Sequence, residues 1–385
     1  MIKIRIKIKI QCRHGRRQNC TLAKYRGSSY TFHVLDALIR QLAENESLTE
    51  RQIAAAVEEL TTATAPIGRK ADFLAALARK GETTAEIAAF ARELRLRAVQ
   101  PPVDAQTRAR QILDVCGTGG DRLNTFNIST VVALVAASAG APVAKHGNRA
   151  VTSQAGSADV LEALGVKIDL TPEEAARSLR ERHFAFFFAP NYHPAFKHIA
   201  PARRLCGERG QKTIFNYLGP LLNPARPSVQ LVGVPHSDLC LPIATVLQSL
   251  GVRRAMVVSG SVPGGEAVRH LDELSTLGPN TVAEFYQPRG VAVSSLLPVH
   301  FPIQSATLAD LAGGDRQTNA EIVRRLLRGE DRSPRRDAVL LNAAAALFVA
   351  EKTRSLDAGW ELAAELIDSG QSLAKLRELI LSPPH

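Results

Sequence analysis

The chain has 385 residues, of which 45% are hydrophobic and 22% charged, so it is long enough to bury a large core or two domains. No run of 18 or more apolar residues occurs, so we expect no membrane span. Five cysteines are dispersed without the spacing of a disulfide framework or a zinc module. We therefore expect reduced thiols and a cytoplasmic protein.

The net charge of +11 is concentrated at the start of the chain. Nine of the 48 Lys and Arg residues lie in residues 1–30, which contain no Asp or Glu, so the rest carries 39 basic against 37 acidic residues. Residues 1–10 alternate like a strand with one cationic face, and no apolar signal-peptide core follows. We expect residues 1–30 to be a disordered basic extension. Either a misassigned start codon or a basic arm for RNA or a protein partner explains it.

Helical periodicity extends from about residue 32 to residue 96. Leu35, Leu38 and Leu42 recur on one helix face, and a capping signal follows over residues 48–52. Two prolines at 101 and 102 end this unit, and apolar strands then alternate with helices to the C-terminus. The pattern predicts an α/β fold: a small all-helical N-terminal domain and a large α/β domain with a mainly parallel sheet flanked by helices.

Residues 112–130 combine a buried strand, a glycine loop and a helix start. Gly117, Gly119 and Gly120 permit a turn that a ligand can approach closely, and the helix beginning at 127–130 offers free N–H groups. This combination predicts an anion site, most often for phosphate. The loop fits neither a Walker A motif nor a dinucleotide fingerprint, and Asp121 favours a sugar phosphate or pyrophosphate handled with a divalent cation. A plain glycine turn is the alternative.

Two further polar segments follow predicted strands. Residues 145–153 come after a strand over 141–144 and supply two cations, a glycine, an amide and two hydroxyls. Because ligands bind at the carboxyl ends of parallel strands, we expect these groups beside the glycine loop, although solvated surface charges would look the same. Asp272 and Glu273 follow a strand over 255–258 and a Pro/Gly-rich loop, and adjacent carboxylates suit Mg²⁺.

Seven segments occur in the order typical of one enzyme family. They are 114–121 (DVCGTGGD), 127–130 (NIST), 145–149 (KHGNR), 156–165 (GSADVLEALG), 213–216 (TIFN), 218–224 (LGPLLNP) and 271–274 (LDEL). The set resembles that of the anthranilate phosphoribosyltransferases, from about residue 32 to the C-terminus. Pyrimidine nucleoside phosphorylases share the architecture but not this set, and they are the first alternative. A non-catalytic, nucleic-acid-binding relative is the second, but the intact glycine loop and acidic pair disfavour it, so we expect no nucleic-acid partner.

The resemblance implies transfer of a phosphoribosyl group from 5-phosphoribosyl 1-diphosphate (PRPP) to the amino group of anthranilate, a step of tryptophan biosynthesis that releases pyrophosphate. An arylamine is already neutral at pH 7, so we assign no general acid or base and expect positioning and electrostatics to carry the rate. The resemblance also implies two Mg²⁺ ions and a homodimer formed through the helical domain. That domain would comprise residues 31–103 and a segment near 196–222, and the α/β domain residues 104–195 and 223–385.

The resemblance assigns binding roles to the matched positions. For PRPP these are Gly117, Gly120, Asp121, Thr125, Asn127, Ile128, Ser129, Thr130, Lys145, His146, Gly147, Asn148, Arg149, Ala150, Val151, Thr152, Ser153 and Ser157. For anthranilate they are Gly117, Asn148 and Arg203, with Arg204 as the alternative to Arg203. For Mg²⁺ they are Ser129, Asp272 and Glu273. An arginine fits the acceptor because its planar fork pairs with a carboxylate, and His146 either lines the acceptor tunnel or is structural.

Three features depart from the family pattern. Gln154 and Ala155 replace the lysine and small polar residue usual before GSAD, which removes one cation. The link over residues 204–212 is a few residues longer than usual, which leaves the choice between Arg203 and Arg204 open. An insertion at 263–265 precedes the acidic pair.

Overall fold

The structure is a computed structural model that describes residues 34–150, 154–264, 268–287 and 289–381. The extension predicted for residues 1–30 lies outside the described residues, as do the predicted site residues Val151, Thr152 and Ser153. Within the described ranges, no helix combines the length and the apolar character needed to cross a membrane. Cys116, Cys206 and Cys240 are buried free thiols.

Among the described residues, helices and strands are interspersed between residues 113 and 262; five helices precede this stretch, and three further strands and then four helices follow it. The alternation predicted as far as the C-terminus therefore stops earlier. The helices are α1 (Val34–Ala43), α2 (Glu50–Thr61), α3 (Ile67–Lys80), α4 (Thr84–Leu96), α5 (Ala105–Ala109), α6 (Ile128–Ser138), α7 (Ser157–Ala163), α8 (Pro172–Arg182), α9 (Ala189–Tyr192), α10 (Ala200–Glu208), α11 (Cys240–Ser249), α12 (Arg316–Leu327), α13 (Pro334–Val349), α14 (Leu356–Asp368) and α15 (Gln371–Leu381). The strands are β1 (Leu113–Gly117), β2 (Val143–Gly147), β3 (Phe184–Phe188), β4 (Val229–Gly233), β5 (Arg254–Val262), β6 (Arg269–Leu271), β7 (Asn280–Tyr286) and β8 (Ala292–Leu296).

The first four helices bury the apolar faces that their periodicity predicts. Leu35, Leu38 and Leu42 of α1 are buried. Thr49 caps α2 through a reciprocal pair of hydrogen bonds with Gln52, which confirms the predicted capping signal. Further helical turns over residues 194–222 join this layer, because α10 packs against α3. The domain boundaries given above stay a prediction.

The strands form one sheet in the order β3-β2-β1-β4-β5-β7-β8, with β6 paired to β5. Strands β1 to β5 are parallel, and β6, β7 and β8 are antiparallel. The mainly parallel sheet between helices confirms the predicted fold class. The strand predicted over 255–258 extends over Arg254–Val262 as β5. It forms a hairpin with β6, and the acidic pair follows β6 directly. The sequence did not predict this hairpin because β6 has only three residues.

Alternating residues of the central strands face two different cores. Val115, Leu231 and Val258 pack with α6, α13 and α14, whereas Cys116 and Val232 pack with the N-terminal helices and α11. This alternation of side chains is the strand period of two, and helices cover both faces. As a result the carboxyl ends of the parallel strands form one edge between the two layers.

Strand β2 ends later than predicted. It covers Val143–Gly147 rather than 141–144, so Lys145, His146 and Gly147 lie within the sheet and not in a loop beyond it. Strands β2 and β3 end at the same height in the sheet, because Gly147 pairs with Phe188, the last residue of β3. The polar groups of this segment are therefore held by the sheet.

Candidate active site

The glycine loop and the acidic pair meet at the carboxyl edge of the sheet, as the sequence predicts. The backbone N–H of Gly119 donates a hydrogen bond to Oδ2 of Asp272 at 2.6 Å. The N–H of Ser129, in the first turn of α6, donates to Oε1 of Glu273 at 3.2 Å. Both donors are groups that the motif offers to an anion, so the N–H groups and the carboxylates belong to one site.

Two glycines permit this close approach. A Cβ on Gly117 would lie 2.1 Å from Oδ2 of Asp272, and a Cβ on Gly233 would lie 1.5 Å from its carbonyl oxygen. Gly117 and Gly233 are neighbours at the ends of β1 and β4. The sequence interpretation missed Gly233, although the mostly apolar stretch 229–232 that ends in this glycine was a usable signal.

The acidic pair carries a charge that the described residues balance only in part. Burial raises the pKa of Glu273 to about 7, and burial together with nearby Asp121 and Glu273 raises the pKa of Asp272 well above its usual range. Such a carboxylate group fits a divalent cation, which would replace the missing positive charge. No three His, Cys, Asp or Glu side chains within the described ranges are arranged to enclose a metal ion. Mg²⁺ held here would therefore take further ligands from phosphate and water, as it commonly does.

Lys145 lies inside the site. Its Nζ donates to the carbonyl of Val115 at 2.8 Å and to Oγ of Ser129 at 3.2 Å. Burial lowers the pKa of Lys145, while Asp114 and Glu273 act in the opposite direction and favour its charged form. The lysine is thus the internal cation beside the acidic pair.

The start of α6 offers one polar side-chain group that lacks a partner among the described residues. Asn127 precedes the helix without capping it, and its amide instead contacts Ala155 and Asn319. Oγ1 of Thr130 is buried and has no hydrogen-bond partner among the described residues. Ile128 buries its side chain, so only its main chain can meet a ligand. A helix start with a buried, unpaired hydroxyl suits phosphate.

The remaining predicted PRPP residues are spread around this edge. Gly120 has a φ of +90° in the glycine loop, and Asp121 accepts a hydrogen bond from the N–H of Leu123 at 3.1 Å. Thr125 pairs with Ala312 in an isolated bridge.

The segment after β2 is held by α7. Ser157 begins α7 so close to β2 that a Cβ on Gly147 would lie 2.2 Å from its Oγ. The N–H groups of Ala150 and Gly156 both donate to Asp159 at 2.9 Å. This carboxylate therefore folds the segment back onto the start of α7.

Arg149 does not join the glycine loop. Its guanidinium forms ion pairs with Asp159 and Glu162 of α7, and its side chain is 45% exposed. Asn148 is exposed next to it, and its Oδ1 accepts a hydrogen bond from the N–H of Arg149 at 2.8 Å. These acids of α7 lie 10 and 13 residues further along the chain and were visible in the sequence, but their proximity to Arg149 depends on how the segment folds back.

A row of rings leads from His146 to Arg203. Ring centroids are 5.3 Å apart for His146 and His193, 5.1 Å for His193 and Phe196, and 5.7 Å for Phe196 and Phe215. The guanidinium of Arg203 lies 5.2 Å from the centroid of Phe215. His193, Phe196 and Phe215 were not predicted. A histidine just beyond strand β3 was the available signal for the first of them.

Arg203 and the histidines have unused polar groups. Arg203 is partly buried with no acidic partner in the described part of the chain, and burial lowers its pKa, whereas Arg204 is exposed. Burial lowers the pKa of His146 to about 3 and of His193 to about 4, so both rings are neutral at pH 7. Their Nε2 atoms are buried without partners among the described residues. A row of neutral histidine and phenylalanine rings that ends at an arginine suits an aromatic carboxylate.

Two family models match the chain. Residues 36–98 match the helical bundle domain of a glycosyl transferase family, and residues 109–373 match the a/b domain of that family. The second match alone covers more than half of the chain.

Curated relatives and solved structures agree with these models. The chain is 46% identical to an anthranilate phosphoribosyltransferase of Symbiobacterium thermophilum, covering 89% of this chain and 97% of the relative. It is similar to the crystal structure of that enzyme from Thermus thermophilus, with a TM-score of 0.79 and 40% identity over 89% of this chain and 98% of the other. A Saccharomyces cerevisiae structure in complex with PRPP and Mg has a TM-score of 0.77 and 26% identity, covering 91% and 98%. The chain belongs to the anthranilate phosphoribosyltransferase family of glycosyltransferases.

Proposed function

We propose that the chain catalyses Mg²⁺-dependent transfer of the 5-phosphoribosyl group from PRPP to the amino group of anthranilate. The products are N-(5-phosphoribosyl)anthranilate and pyrophosphate, in tryptophan biosynthesis. The observation that carries this proposal is the meeting of Asp272 and Glu273 with the N–H groups of Gly119 and Ser129. One edge of the sheet thus combines anion donors with cation ligands, as a diphosphate bound with a metal requires.

The donor would occupy the carboxyl edge of the sheet. Gly117, Gly120, Asp121 and Thr125 would hold its ribose and pyrophosphate, and residues 127–130 would bind phosphate oxygens at the start of α6. The unpaired Oγ1 of Thr130 supports this arrangement. Residues 145–153 and Ser157 would enclose the donor, and the ion-paired Arg149 would have to exchange a carboxylate for phosphate to take part.

Ser129, Asp272 and Glu273 would hold Mg²⁺, and we propose two ions. Bound Mg²⁺ supplies charge neutralisation for the pyrophosphate. The raised pKa values of both carboxyls support this role, because a cation would return them to the charged form. Lys145 keeps Ser129 in place through its hydrogen bond to Oγ.

The acceptor would lie along the ring row. Arg203 would pair with the carboxylate of anthranilate, with Gly117 and Asn148 at the end near the ribose. His146 and His193 are neutral and present Nε2 atoms that can accept hydrogen bonds from the arylamine. Positive charge develops on the ribose ring in such a transfer, and the surrounding carboxylates and dipoles would stabilise it.

Two broader features stay predictions for this chain. We propose a homodimer formed through the helical layer. We also retain the cytoplasmic location expected from the dispersed cysteines.

The fluorescence of anthranilate tests the function directly. Purified protein with PRPP and MgCl₂ should consume anthranilate and remove its fluorescence, and EDTA should stop the decay. No decay with a folded protein that still binds PRPP would mean that the acceptor is a different molecule. No binding of PRPP would refute the donor site as well.

A further inference from the structure

Each of the four carbonyls of the helical turn Gly219–Leu222 accepts a hydrogen bond from a different side chain. The carbonyl of Pro220 accepts a hydrogen bond from Nε2 of Gln230 on β4 at 3.0 Å, and that of Leu221 accepts from Nε of Arg95 on α4 at 2.5 Å. The carbonyls of Gly219 and Leu222 bond to the rings of His146 and His193. The side chains that hold this turn, called its anchors below, are His146, His193, Gln230 and Arg95.

These carbonyls determine which ring nitrogen of each histidine carries the proton. The Nε2 atoms are buried without partners, so the nitrogen that meets each carbonyl is Nδ1. A carbonyl only accepts, so Nδ1 must carry the proton and Nε2 must keep its lone pair. The position of the turn therefore sets the tautomer and the orientation of both rings.

Arg95 links this turn to the helical layer without an ion pair. The side chain is partly buried on α4, and no acidic partner occurs in the part of the chain that the structure describes. Its charged neighbour is Arg226, which repels it. Partial burial of an arginine among like charges is costly, so the bond to Leu221 is the visible reason for its place.

We propose that Arg95 is a positioning residue for the acceptor, which it serves by holding the turn Gly219–Leu222 and through it the rings of His146 and His193. This inference rests on the proposed function, because those histidines are assigned to the acceptor there. Gln230 holds the same turn from the sheet, so the two anchors act on one element from opposite layers.

Substitution of Arg95 tests the proposal against a matched arginine on the same helix. Arg95→Met keeps the apolar stem but removes the donor, and leaves the Leu221 carbonyl without its charged partner. We expect the KM for anthranilate to rise about tenfold or more and the KM for PRPP to stay within about twofold. Arg92→Met, which removes an arginine paired with Glu50 at the surface, should leave both values unchanged. Arg95→Lys should recover part of the loss, because an ammonium can still donate to the carbonyl.

A second anchor and a spectroscopic readout separate positioning from general damage. Gln230→Met should raise the same KM, and the double variant should lose less than the sum of the two effects, because both act on one turn. In ¹⁵N-histidine spectra of the substrate-free protein, Arg95→Met should convert His146 and His193 from single Nδ1–H tautomers to mixtures. Thermal unfolding verifies that each variant is folded.

Each result decides for or against the positioning role. Unchanged tautomers and an unchanged KM for anthranilate in a folded Arg95→Met protein would overturn it. Equal loss in the Met and Lys variants with unchanged tautomers would also overturn it, and would make the guanidinium itself a contact of the acceptor. Failure of the proposed function is distinct, because the unsubstituted protein would then not consume anthranilate at all.

Discussion

Replacing Gly233 by Ala should separate the acidic pair from the glycine loop. The new Cβ would lie 1.5 Å from the carbonyl oxygen of Asp272, whereas ordinary contacts begin near 3.4 Å, so the acidic segment must move by about 1.9 Å. Gly233 does not have a positive φ, so the effect comes from this contact and not from backbone strain. Because a shift of about 1 Å in reacting groups can cost about a hundredfold in rate, kcat should fall at least a hundredfold.

The assay is the loss of anthranilate fluorescence with saturating PRPP over a series of MgCl₂ concentrations. The substitution should also raise the Mg²⁺ concentration needed for half activity and lower the free energy of unfolding by about 1 to 3 kcal/mol. Gly68→Ala is the control, because a Cβ there meets no described atom within 4 Å in helix α3. It should keep full activity and change the free energy of unfolding by at most about 1 kcal/mol. A Gly233→Ala enzyme with kcat within threefold of the unsubstituted enzyme would refute the reasoning.

Three further predictions concern charge. Arg203→Ala should raise the KM for anthranilate about ten- to a hundredfold, and Arg204→Ala should change it less than twofold. The reason is that Arg203 is partly buried at the end of the ring row, whereas Arg204 is exposed. The opposite ranking would exchange their roles. The double variant Asp272→Asn, Glu273→Gln should lose at least 99% of activity, yet urea unfolding without metal should find it no less stable, since both carboxyl pKa values are raised. His193 has a folded pKa of about 4 against 6.5, so the unfolded chain binds more protons and stability is lost as the pH falls from 6.5 towards 4. His193→Asn should reduce that loss by at most about 3 kcal/mol, and an unchanged acid dependence would contradict the buried neutral ring.

Local patterns predicted much of the fold and the donor half of the candidate site. The capping box at Thr49 and the apolar face of α1 depend on residues three or four apart, so the sequence reveals them directly. The glycine loop and the start of α6 are also consecutive in the chain. The resemblance to the family then implied that Asp272 and Glu273 would bind Mg²⁺ beside them.

Contacts between distant segments needed the tertiary structure. Lys145 was expected in a loop, but the strand ends three residues later than predicted and carries it into the site. The ends of elements are the least certain part of a sequence prediction. Arg149 was expected at the donor, but two carboxylates of α7 take its charge once the segment folds back. Antiparallel β6 is too short to give a periodic signal.

The sequence by itself determined the α/β class, the family and the residue types of the donor site, because these depend on short-range patterns and ordered motifs. Only the tertiary structure decided that Gly233 must be a glycine, since its neighbour Asp272 is distant in the chain. It also decided that His146 and His193 are neutral, because burial lowers the pKa of each ring by more than the hydrogen bond to a backbone carbonyl raises it. Burial and close approach are properties of packed elements, and no local pattern encodes them.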